Sequence, residues 1–200
     1  VLDADDIRRK ASQPVPDDFA ERPNKLVTLG RLLSQKGIDI AVKAAALLRQ
    51  RGLDFTWLVL GEGDQRAELE TMIHAYGLEH HFILKGRVAN PYPYVAATDI
   101  YVQPSRYEGY SLAVQEARIL AKPIVATDIP SSREQITDGH DGILVRPDET
   151  ALAEGIIRLL NDKSLCATLS SNLQGGRFDY EDQVRRLFTL IDDAKGSTRP

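Results

Sequence analysis

Residues 25–64 read KLVTLGRLLSQKGIDIAVKAAALLRQRGLDFTWLVLGEGD. Lys25–Leu29 is a short apolar run closed by Gly30, and residues 55–60 form a second, closed by Gly61. Between them Ile38, Ala41, Ala45 and Leu48 recur at helical spacing within residues 36–51. Short continuous runs rich in Val and Leu are what strands buried on both faces look like, and the longer periodic segment is a helix. A strand, a helix and a second buried strand make a parallel crossover unit.

The same alternation continues outward. Residues 82–84, Ile100–Gln103, Ile124–Thr127 and Ile143–Val145 are further apolar runs. Helical patterning fills the gaps, with Leu69, Ile73 and Tyr76 after Gly63, then residues 111–121 and 149–160. Six such runs with helical segments between them predict an α/β fold, a Rossmann-like doubly wound parallel sheet over residues 24–162. Residues 1–23 read as a linker segment, a polar helix-like piece at 5–10 followed by a proline-containing stretch at 13–23. Residues 163–200 read as added C-terminal helices, at 163–173 and 180–195, broken by Gly175-Gly176 and ended by a disordered tail at 196–200. Met72 is the sole methionine and the chain opens in mid-pattern, so it reads as a piece of a longer protein.

Composition narrows the function classes. The 200 residues are 42% hydrophobic and 27% charged, with a net charge of −4, which gives no basic footprint for nucleic acid. The longest apolar stretches, such as residues 44–48, fall far below the roughly 18 residues of a spanning helix. A lone cysteine, Cys166, excludes an internal disulfide and points to a reducing compartment such as the cytoplasm.

In doubly wound sheets ligands sit beyond the carboxyl ends of the strands, so chemistry is sought in the loops that follow them. Gly30-Arg31-Leu32-Leu33-Ser34-Gln35-Lys36-Gly37 places an Arg and a Lys between two glycines at the start of a helix. Such a loop suits a diphosphate, or it is a surface turn with two solvated cations. Gly61-Glu62-Gly63 is either a second ligand-contacting turn or a tight connection, and it lacks the third glycine of a dinucleotide fingerprint. The richest stretch is Pro104-Ser105-Arg106-Tyr107-Glu108-Gly109-Tyr110-Ser111-Leu112, continuing through the helix to Glu116. Gly109 permits an exposed turn, and backbone N–H groups of Tyr110, Ser111 and Leu112 at a helix start form an anion nest. Glu108 and Glu116 are two carboxylates for ligand hydroxyls or acid/base work, or a capping residue and an unrelated helical one. His74, His80, His81 and His140 lack second ligands at metal spacing and read as structural, as does Cys166, and Trp57 reads as core.

Taken in order, Gly30-Arg31-Leu32 with Lys36-Gly37, Gly61-Glu62-Gly63, Asn90-Pro91-Tyr92-Pro93-Tyr94, Glu108-x(7)-Glu116 and residues 121–128 (AKPIVATD) resemble the carboxyl-terminal domains of family 4 retaining glycosyltransferases. The resemblance covers residues 25–160 or so. It implies the second, donor-nucleotide half of a GT-B enzyme, a fold of two Rossmann-like domains facing across a cleft. By that resemblance Gly30, Arg31 and Lys36 hold a diphosphate together with the backbone from Gly109 through Leu112. Glu116 takes the ribose hydroxyls, Glu108 faces the donor sugar, and the backbone near Arg87 and Val88, with Gly61 and Gly63, completes the nucleotide site. Glu108, Arg31 and Lys36 are the implied catalytic group. The implied substrate is a nucleotide sugar, with uridine diphosphate favoured, no metal and no other cofactor. The acceptor is a glycan or lipid-linked molecule bound mainly by the absent first domain, in bacterial polysaccharide or glycolipid assembly, with the protein cytoplasmic or at the inner membrane face. Ala121 stands where the family has glycine. A non-catalytic nucleotide-sugar binding or regulatory module on the same fold is the rival reading.

Overall fold

The structure is a computed structural model that describes residues 2–175, so the expected helix at 180–195 and the tail at 196–200 lie outside the described residues. Six parallel strands form one sheet: β1 (Lys25–Leu29), β2 (Thr56–Leu60), β3 (Phe82–Gly86), β4 (Ile100–Gln103), β5 (Ile124–Thr127) and β6 (Ile143–Val145). Their order is β3-β2-β1-β4-β5-β6, the doubly wound order anticipated from the alternation. Every residue of β2, β4 and β5 is buried. The reason lies in how the strands divide their side chains. Leu26, Trp57, Val59, Ile100, Val102 and Val125 enter one apolar cluster. Val27, Leu29, Leu58, Leu60, Tyr101 and Ala126 enter another on the opposite face.

Helices α2 (Ile38–Gln50), α3 (Arg66–Ala75), α7 (Glu149–Asn161) and α8 (Lys163–Gly175) cover the first face. Trp57 is core, its ring tilted against Phe82 at 5.1 Å, with its indole N–H donated to Thr28 Oγ1 at 3.0 Å. Cys166 packs against this cluster and donates its thiol to the Leu159 carbonyl at 3.1 Å; burial pushes the thiol up, away from nucleophilic use. In α3, Leu69 and Ile73 face inward, whereas Tyr76, grouped with them by spacing, caps the helix and is exposed.

The other face carries α4 (Tyr92–Ala97) and α5 (Leu112–Ile119), with α6 (Pro130–Gln135) beside them. Both α4 and α6 are six residues long, with Pro91 just before the first and Pro130 opening the second; they are too short to show a period in sequence, and no helix was expected there. Residues 1–23, expected as a linker, also pack here. Helix α1 (Ala4–Ala11) is capped by the Asp3 carboxylate, which accepts from Asp5 and Asp6 N–H at 3.0 Å, and it contacts α4 and α5. Ile7 is buried, and Phe19 lies 5.9 Å from the Tyr94 ring. Apolar anchors scattered at Ile7, Val15 and Phe19 leave no periodic signal, yet they tie the segment to the domain.

Strands β1 and β4 are neighbours, although the chain leaves β1 toward β2 and leaves β4 toward β5. That reversal opens a crevice beyond their carboxyl ends, flanked by the loops at 30–37 and 104–111.

Candidate functional site

The two loops are fastened to each other before they can hold anything else. Gly37 is left-handed (φ 63), and a Cβ there would lie 2.0 Å from the Pro104 carbonyl oxygen, so the backbones touch. Arg106 N–H donates to the Gln35 carbonyl at 2.9 Å, and the Gln35 amide donates to the Tyr107 carbonyl at 3.2 Å. The Arg106 guanidinium grips both oxygens of Asp39 at 2.7 and 2.6 Å, which holds the Asp39 carboxyl below its ordinary value. The turn at Gly61-Glu62-Gly63 supports the first loop from beneath. A Cβ on Gly61 or Gly63 would lie 1.9 Å from the Gly30 oxygen or 2.4 Å from the Leu32 oxygen.

Between the loops lies an open cavity of about 410 Å³. Gly30, Arg31 and Lys36 line one side, and Tyr110, Ser111, Leu112 and Glu116 the other, with Glu108 at the base of the second loop. Arg31 is exposed and, among the described residues, joins no ion pair. Lys36 does join one. Its Nζ lies 2.5 Å from Glu108 Oε1, with side chains only 17% and 7% exposed. The same oxygen accepts from Ser105 Oγ at 2.7 Å and Gln103 Nε2 at 3.2 Å. Two residues expected on different parts of a ligand therefore neutralise each other across the loops.

Glu116 lies on α5 and accepts from the Tyr92 hydroxyl at 3.1 Å. Burial pushes the Glu116 carboxyl up against the partial relief of that hydrogen bond. Burial first, then the Glu116 charge, pushes the Tyr92 phenol up to about 12. Ser111 caps α5 by accepting from Val114 N–H at 3.4 Å. Its own N–H, expected in the anion nest, is donated to Gln135 Oε1 at 3.2 Å, while its carbonyl accepts from Gln135 Nε2 at 3.0 Å. The nest therefore lacks that donor, because a side-chain amide from α6 satisfies it first.

Residues 10–175 match the family described as glycosyl transferases group 1. The chain belongs to this family. It is 32% identical over 173 residues to the alpha-D-kanosaminyltransferase of Streptomyces kanamyceticus, covering 85% of this chain and 45% of that relative. It thus spans less than half of that relative's length. The C-terminal domain of LpcC, a group 1 family protein of Francisella tularensis, superposes with a TM-score of 0.71 at 25% identity, over 86% of this chain and 94% of that one. A mutant of S. aureus TarM, solved with fondaparinux, alpha-GlcNAc-glycerol and UDP, superposes with a TM-score of 0.77 at 25% identity, over 89% of this chain and 37% of that one.

Within this group 1 domain not every expected position reaches the cavity. Gly61 and Gly63 lie outside its lining, as do Arg87 and Val88 at the end of β3. Strand β3 is the sheet edge, two strands from the reversal; Arg87 is exposed and Val88 packs toward the α4 face. Conversely, Gln103, Ser105, Gln135 and Tyr92 bear on the site as partners of Glu108, Ser111 and Glu116. Only Ser105 and Tyr92 fell inside quoted motifs. Gln103 ends a strand and Gln135 a short helix, where spacing carries no sign of what an amide will reach. Among the described residues no three His, Cys, Asp or Glu side chains gather at metal distance, and no helix is long and apolar enough to cross a membrane.

Proposed function

We propose that this chain is the donor-nucleotide half of a retaining glycosyltransferase. It would take a sugar from a nucleotide sugar, with uridine diphosphate favoured over guanosine diphosphate. The acceptor, a glycan or lipid-linked molecule, would be held mainly by a second domain, in polysaccharide or glycolipid assembly on the cytoplasmic side of a membrane. The observation that carries this reading is the arrangement around the cavity: Arg31 and Lys36 on one wall, the start of α5 on the other, and two carboxylates between. The UDP in the TarM structure and the sugar transfer named for the kanosaminyltransferase support it.

In this reading Arg31 and Lys36 take up the charge that develops on the departing diphosphate, without a metal. Glu116 accepts from the ribose hydroxyls, Glu108 faces the sugar, and the base extends beyond the cavity toward the backbone at Arg87-Val88. Lys36 reaches the diphosphate by leaving Glu108, so donor binding exchanges one anionic partner for another. Each charge-assisted contact is worth about 1.5–3 kcal/mol, or roughly 10- to 150-fold in affinity.

Calorimetry with UDP, GDP and uridine, with and without chelator, tests the reading. UDP is expected to bind without metal, and Arg31→Ala to weaken UDP far more than uridine. Loss of binding on chelation, or equal losses for uridine and UDP, would overturn it. A longer protein carrying the acceptor domain that binds a nucleotide sugar but never transfers it would establish the non-catalytic module instead.

A further inference from the structure

We propose that Gln103 is a positioning residue that orients Glu108 toward the donor sugar, an inference that rests on the donor-site reading above. The evidence is a directed run of hydrogen bonds. Leu29 N–H donates to the Tyr101 hydroxyl at 3.4 Å, and that hydroxyl donates to Gln103 Oε1 at 2.7 Å. Tyr101 is fully buried, and its proton fixes which end of the Gln103 amide is the acceptor. The amide nitrogen is thereby turned to Ser105 Oγ at 2.8 Å and to Glu108 Oε1 at 3.2 Å. Ser105, fully buried, passes its own hydroxyl proton to the same carboxylate oxygen at 2.7 Å. Every donor points one way, so the run ends on Glu108 as an acceptor.

Two consequences follow for the carboxylate. Among the described residues its hydrogen bonds, including the one from Lys36, all fall on Oε1, which leaves Oε2 for a hydroxyl in the cavity. The holders also differ in mobility. Lys36 reaches Glu108 with a flexible stem, whereas Gln103 sits 1% exposed at the end of a central strand. When Lys36 turns to a diphosphate, Gln103 and Ser105 keep Glu108 in place instead of letting it follow the departing cation. Ser105 is only three residues from Glu108 in the same loop, itself held by Thr127 Oγ1 donating to the Ser105 carbonyl at 2.5 Å. Gln103 is the member anchored in the sheet.

The test compares UDP with UDP-glucose, UDP-galactose and UDP-N-acetylglucosamine by calorimetry on the full chain. Gln103→Leu leaves the buried Tyr101 hydroxyl without its acceptor, so Tyr101→Phe/Gln103→Leu, which removes both partners of that bond and takes from Leu29 N–H only its 3.4 Å acceptor, is measured beside it, with a cooperative melt as the check on its fold. Both variants are expected to bind UDP as the parent does, but to lose about 5- to 10-fold of the affinity that the preferred sugar adds. Placed on a Glu108→Gln background they are expected to change nothing further. An undiminished sugar increment in the double variant, or a parallel loss for bare UDP, would overturn the proposal and leave Gln103 a structural residue. A parent chain that binds no UDP would instead overturn the donor-site reading itself. A parent that binds UDP but gains from none of the three sugars would remove the sugar-facing role of Glu108, and this inference with it.

Discussion

Glu116 and Glu108 are both carboxylates at one cavity, yet the protein stabilises them differently. Glu108 meets a cation and two neutral donors, whereas Glu116 receives one hydroxyl proton and is pushed up by burial. A carboxyl raised in the folded state binds its proton more tightly there than in the unfolded chain. Its contribution to stability therefore falls as pH rises from the ordinary value of 4.5 through the raised one. Glu116→Gln keeps an acceptor for Tyr92 and removes that cost. Thermal melts should show a gain of up to about 1 kcal/mol at neutral pH that disappears below the ordinary glutamate range, accompanied by weaker UDP binding. The two cations separate in the same manner. Lys36→Ala strands a carboxylate that is 7% exposed and should cost about 3 kcal/mol in urea unfolding. Arg31→Ala removes an exposed side chain and should stay within about 0.5 kcal/mol of the parent while still weakening UDP.

At the level of the elements, two left-handed positions carry opposite residues. Helix α5 ends with Ala121 N–H donating to the Arg118 carbonyl and Lys122 N–H to the Ala117 carbonyl, the paired bonds of a Schellman stop. That stop places Ala121 at φ 51, where the related domains carry glycine by the resemblance noted above. Ala121→Gly relieves the strain and should raise the urea midpoint by the equivalent of about 1 kcal/mol at unchanged slope. Gly37 is the reverse case, since an added methyl group meets the Pro104 carbonyl head-on. Gly37→Ala should cost about 2 kcal/mol or more and, by parting the two loops, lower UDP affinity in calorimetry as well. The long helices and buried strands were legible because their patterns repeat. The six-residue α4 and α6 were not, being shorter than two turns of any readable period.

Across the whole molecule, the most instructive region is the one that looked like a tether. Ile7 is 2% exposed, and the Asn90 amide donates to the Lys10 carbonyl at 3.1 Å and to Gln13 Oε1 at 2.9 Å, binding the segment to the loop between β3 and α4. Ile7→Ala should cost about 2–4 kcal/mol, read as one shared transition in Trp57 fluorescence and far-UV circular dichroism. An unchanged midpoint would mean that α1 does not belong to the cooperative unit. The doubly wound sheet was determined by the sequence alone. Runs that are apolar on both faces can be covered only by helices on both sides, and that requires parallel crossovers. The same reading set the loops carrying Arg31, Lys36 and Glu108, and the helix of Glu116, at the carboxyl ends of strands, and the family resemblance assigned the four to one site. Who pairs with whom there was decided by the tertiary structure. Lys36 and Glu108 stand 72 positions apart, and Gln135 reaches Ser111 across 24. Periodicity records which face a side chain occupies, but a hydrogen bond depends on distance and direction between loops, which exist only once the strands stand side by side.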